Sequence, residues 1–123
     1  MTDRIDTPPA DDAELTAIAD AVGAEERARI LALADTVVAA DSEDGRELIR
    51  ALNAAGLVTN RFDWVAWSRD SRYRDGEHLD DASIADAVRL ITRFVRGDRF
   101  VEGLLDQLID DGTLQLVVRR ALG

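Results

Sequence analysis

Eleven residues from Arg93 to Gly103, RFVRGDRFVEG, bring three arginines, two acids, two phenylalanines and two glycines together. Arginine is always charged, and its planar fork can grip a carboxylate or phosphate through two parallel hydrogen bonds. Arg89, Arg93 and Arg96 recur at helical spacing, so three like charges stack on one stripe and an anion must answer them. The answer is internal, from Asp63, Asp98 or Glu102, or external, from a phosphate, a nucleotide or an acidic partner. The same residues also read as a helix joint. Gly97 can end one helix and Asp98 can cap the next, with Arg99 and Glu102 three apart and able to pair. Gly103 then falls inside the following helix, where glycine costs roughly 1 kcal/mol relative to alanine, so a close neighbouring backbone is expected beside it.

A second cluster lies upstream in FDWVAWSRDSRYRDGEHLDD. Phe62, Trp64, Trp67 and Tyr73 are four of the six aromatic residues of the chain, and they stand beside Arg61, Arg69, Arg72 and Arg74. Asp63 can cap a short turn that sets Trp64 and Trp67 three residues apart on one side, with loop expected after Trp67. Such indoles either anchor a helical core or stack bases while Arg61 and Arg69 hold phosphates.

Other chemistry has little to work with. The chain has no cysteine, which excludes disulfides, thiolate catalysis and cysteine metal sites. His78 is the single histidine and falls in the loop, so neither a histidine metal site nor a histidine-activated nucleophile is expected. The many carboxylates show no calcium-loop spacing and are expected to be surface charge. No catalytic residue, metal or cofactor is assigned. An enzyme using Asp63, Asp98 or Glu102 as acid or base beside an arginine is the least favoured option.

The elements that would position these groups read as helices. Leu15, Ile18, Ala19 and Val22 follow Asp11 and Asp12 and precede Gly23, which predicts a short first helix. Ile30, Leu31, Ala34, Val37 and Val38 form the stripe of a second helix running to about Ala40, with Arg27 and Arg29 outside it. Leu48, Ile49 and Leu52 predict a third over about 43–55. Ile84, Val88, Ile91 and Val95 share one face of a helix from near Asp81 to Arg96, and Val101, Leu104, Leu105, Leu108 and Ile109 define the next. The terminal TLQLVVRRAL fits a helix or, through its β-branched residues, a strand. Thr2 to Pro9, with the Pro8-Pro9 pair, predicts a flexible tail over residues 1–10, leaving 11–123 as one helical domain.

A chain of 123 residues is the size of one domain, and its apolar residues are mostly aliphatic. The charge is uneven. Its 18 Asp, 7 Glu, 15 Arg and no Lys sum to a net charge of −10, and residues 1–60 hold 13 of the 25 acids against 5 arginines. That field repels phosphate backbones and anionic membranes, so nucleic acid is an unfavoured partner unless a local arginine patch overcomes it. Lysine-free composition rich in Asp, Ala and Arg is also expected of a salt-adapted, halophilic-like protein or of one from a GC-rich organism. With no signal-peptide pattern in MTDRIDTPPADDAE and no membrane-length apolar run, a soluble cytoplasmic protein is expected. There, the Arg-Gly-Asp tripeptide at 96–98 is read as a coincidental match to integrin ligands.

The pattern FDWxxW at Phe62–Trp67, followed by LITRFVRGDRFVEG at Leu90–Gly103, resembles a family of small prokaryotic proteins classed as domain of unknown function 6508. Phe62, Asp63, Trp64, Trp67, Thr92, Val95, Arg96, Asp98, Arg99, Phe100, Glu102 and Gly103 carry the resemblance, with Gly112 and Arg119 or Arg120 in suitable places. It covers roughly residues 25–122 and implies one shared architecture; it implies no activity. The residues together predict an all-α single domain of five or six helices, with FDWVAW packed against the joint at 96–103 and Asp63 answering Arg96 or Arg99. The expected role is a noncatalytic protein-interaction or regulatory module, self-association included. The alternative is nucleic-acid or nucleotide binding. The candidate binding residues are Asp63, Trp64, Trp67, Arg89, Arg93, Arg96, Asp98, Arg99 and Glu102.

Overall fold

Short polar side chains set most helix starts in the computed structural model, which describes residues 9–73 and 76–123. Asp11 accepts from the Glu14 N–H and opens α1, Asp12–Asp20. Gly23 precedes α2, Ala24–Thr36, and Ser42 caps α3, Glu43–Ala54, through the Gly45 N–H. Asp63 caps α4, Trp64–Asp70, and Ser83 caps α5, Ile84–Gly97. After a single 3-10 turn at Leu79–Asp81, which precedes α5, the chain closes with α6, Leu104–Asp110, and α7, Thr113–Leu122. Each capping oxygen satisfies an N–H that the first helical turn leaves without a partner.

The described residues thus form seven α-helices and no strand, against an expectation of five or six. The extra one is α4, where a turn was expected at Trp64 to Trp67 and the helix continues to Asp70. TLQLVVRRAL is helical, since Leu114, Val117, Val118, Ala121 and Leu122 are all buried at spacings of three and four. The tail expected over 1–10 lies outside the described residues except at its end, where Ala10 is buried and its N–H donates to the Arg61 carbonyl at 2.8 Å. Arg74 also lies outside the described residues.

Helix α5 is the central strut. It packs against α1, α7, α4 and α6, with Val88, Leu90 and Ile91 fully buried, while α2 lies between α3 and α7. Ile84, expected on the core face, is instead exposed at the helix start. Around this strut the connections are sewn down by buried polar groups. Thr92 receives the Thr59 N–H at 3.1 Å and donates to the Leu57 carbonyl at 3.2 Å, which fixes the link leading into Phe62 and α4. Arg27, outside the apolar stripe as expected, turns its guanidinium inward to the carbonyls of Ala19, Val22 and Leu122. A cation there complements the negative carbonyl ends of α1 and α7.

Helix α2 stops at Thr36, four residues short of its expected end. Val37 turns extended and buries its side chain, so that the Ala40 N–H can reach the Asp106 carboxylate at 2.8 Å. A Cβ on Gly45 would sit 2.1 Å from the Ala39 carbonyl oxygen, so only glycine lets this link cross the start of α3.

Candidate functional site

Three elements meet at the C-terminal end of α5. Helix α4 arrives along the Thr92-anchored link, the 98–103 connection leaves α5, and α6 begins beyond it. Between them lies an open groove of about 730 Å³. Trp64, Val65 and Ser68 form one wall, Arg93, Arg96 and Gly97 the floor, and Arg99, Phe100, Val101 and Leu104 the other wall.

The groove is apolar with a cationic border. Phe100 is 78% exposed and Val101 55%, and the Phe100 ring stands over Trp64 with centroids 6.1 Å apart. Large apolar side chains grouped at the surface are the informative exception to ordinary surface composition. Among the described residues no carboxylate forms an ion pair with Arg96 or Arg99, and no acid lines this groove. The Arg96 Nε is screened from solvent yet has no hydrogen-bond partner among them. A buried donor left unpaired is costly.

The arginine stripe splits. Arg89 is answered internally: its guanidinium bonds Asp86 and Asp12, each at 2.7 Å, and only 12% of its side chain is exposed. Asp86 also accepts from the Tyr73 hydroxyl at 2.7 Å, and burial, reinforced by that bond, pushes the Tyr73 phenol up to about 12. Arg89 therefore belongs to a lock between α1, α5 and the Tyr73 loop, away from the groove. Arg93, Arg96 and Arg99 are the ones the groove gathers.

The tryptophans also part company. Trp67 packs toward the core between Phe62, centroids 6.0 Å apart, and Tyr73, 6.2 Å, whereas Trp64 faces the groove. Arg61, considered for phosphate contact, is held by Glu14 through bonds of 2.7 and 2.9 Å; the hydrogen bond keeps the Glu14 carboxyl below its ordinary range.

Asp63 does not answer Arg96 or Arg99. Its carboxylate accepts from the Val65 and Ala66 N–H groups, both at 3.1 Å. Asp98 does not open the next helix as expected: it ends α5, Gly103 takes the N-cap position of α6, and the Asp98 Oδ1 instead accepts from the Leu105 N–H at 3.0 Å across the 98–103 connection. Glu102 is exposed and makes no ion pair with Arg99 among the described residues. Gly103 lies between the helices with φ +80°, so its cause is the left-handed turn and not the expected backbone contact.

Val65, Ser68, Phe100, Val101 and Leu104 were not among the candidates. Their signal was the Phe100-Val101 pair, two large apolar residues inside an otherwise charged joint. His78 sits exposed in its loop, and no group of three or more acids and histidines could hold a metal ion among the described residues. Nor, among them, is any helix long and apolar enough to cross a membrane.

Comparison with curated proteins and with solved structures gave no match. A family model does match, over residues 16–122, so it takes in the FDWxxW segment, the joint and every wall of the groove. With that extent matched, the chain belongs to the Family of unknown function (DUF6508).

Proposed function

We propose that this protein is a noncatalytic interaction module whose groove between α4, α5 and the 98–103 connection receives a segment of a partner protein. One observation carries the reading: exposed Val65, Phe100 and Val101 share a surface with Arg99 and with Arg96, whose Nε has no acceptor. Aromatic and arginine side chains together are the composition that dominates interface energetics. The groove supplies grip and no evident reacting group. Its one hydroxyl, on Ser68, donates to the Trp64 carbonyl.

A photo-crosslinking amino acid at position 100, compared with one at exposed position 110 across α6, tests the reading in lysate of the source cells. Position 100 should give a discrete protein adduct that position 110 lacks and that Arg99→Glu abolishes. Identical products from both positions, or none from position 100, overturn it.

A second reading is nucleotide or single-strand binding, favoured by Trp64 and Phe100 offering ring faces beside arginines. Phosphate contacts must weaken as salt rises. If nucleotides and oligonucleotides leave the tryptophan fluorescence unchanged at low salt, this reading is eliminated.

A further inference from the structure

Arg96 lies between two depressions. On one side is the groove with Trp64 and Phe100; on the other a smaller cleft of about 240 Å³ is lined by Ile49 and Asn53 of α3, Val58, Val95 and Leu105. Arg96 and Arg99 border both depressions. Asp98 is the single carboxylate in either lining; its Oδ1 is engaged by Leu105, and it makes no ion pair with either arginine.

We infer that the partner segment brings an acid next to a bulky apolar residue. Its Asp or Glu carboxylate accepts from the Arg96 and Arg99 guanidinium groups, and the apolar side chain fills the Trp64–Phe100 groove. The inference rests on the interaction reading and adds the chemistry of the occupant. The smaller cleft is of mixed character, with Asn53 and Asp98 beside Ile49, Val58, Val95 and Leu105, so the apolar anchor belongs to the Trp64–Phe100 groove. The anion is also called for by charge complementarity, since the groove lining is cationic within a chain of net charge −10. A charge-assisted bond to the half-buried Arg96 then sets the register of the segment.

The test is selection of displayed random 12-residue peptides on the wild-type protein, followed by affinity measurement on the enriched peptides. They should carry an acid beside a bulky apolar residue. Changing that acid to its amide, or Arg96→Gln, should weaken binding by roughly tenfold or more, as expected for loss of a charge-assisted bond. Each variant is checked for its melting transition, and exposed Arg99→Gln serves in place of Arg96→Gln should the latter unfold. Enriched peptides that are apolar without an acid, and bind Arg96→Gln and Arg99→Gln as well as wild type, overturn the inference while leaving the interaction reading standing. Failure to enrich any peptide overturns both.

Discussion

At the scale of single residues, two arginines of one helix stripe have opposite fates because of what stands opposite them. Arg89 meets Asp12 and Asp86, whereas Arg96 meets no acid among the described residues. Helical spacing placed both on one stripe, and spacing says nothing about which long-range partner arrives. The Tyr73 end of the Arg89 lock gives a clean expectation. The chain has one tyrosine, no lysine and no cysteine, so between about pH 9 and 12 Tyr73 is the one side chain expected to titrate. Its folded value is raised to about 12 over an ordinary value near 10, so the neutral phenol is the favoured form in the fold. The stability this provides is complete below about pH 10 and is lost as pH climbs through about 12. Urea midpoints should fall over that window in the wild type and stay flatter in Tyr73→Phe. At neutral pH the same substitution should cost about 1 kcal/mol, because Asp86 loses a donor.

At the scale of elements, apolar periodicity made the helices legible, and Asp63 caps where the sequence suggested. The misses sit at chain crossings. Periodicity carried α2 through Val38, but Val37 is needed in the core on an extended backbone and Val38 is left exposed. Gly45 reads from sequence as an ordinary residue in a first helical turn; its reason is a backbone from before the helix lying against it. Gly45→Ala should therefore destabilise the protein by about 2 kcal/mol or more, since the nearest obstruction is a carbonyl and not a side chain that can swing away. Thermal unfolding monitored by circular dichroism gives the value; an unchanged melting temperature would mean that the 37–42 link is free to move. The groove itself arises at this scale. Its walls come from α4, the α5 terminus and the 98–103 connection, so the sequence showed its arginines and Trp64 but could not show that Phe100 and Val101 stand beside them exposed.

At the scale of the whole molecule, the charge of −10 opposes folding through self-repulsion, while the exposed Arg61–Glu14 pair and its like contribute little. Raising salt from roughly 0.05 to 1 M shortens the screening length from more than 10 Å to about 3 Å. The melting temperature should accordingly rise by several degrees; a fall would mean that the ion pairs outweigh the repulsion. Against that acidic background a groove that no acid lines among the described residues, with Arg96 unpaired in it, is the feature that the fold does not account for. The central claim is that Arg96 serves an external acceptor and not the joint around Gly97. The melting temperature of Arg96→Gln measured against wild type tests it most directly. A guanidinium without an internal partner gives the folded state little, so the two should melt within about 3 °C of each other, whereas a drop of about 10 °C or more would show that Arg96 holds the joint together.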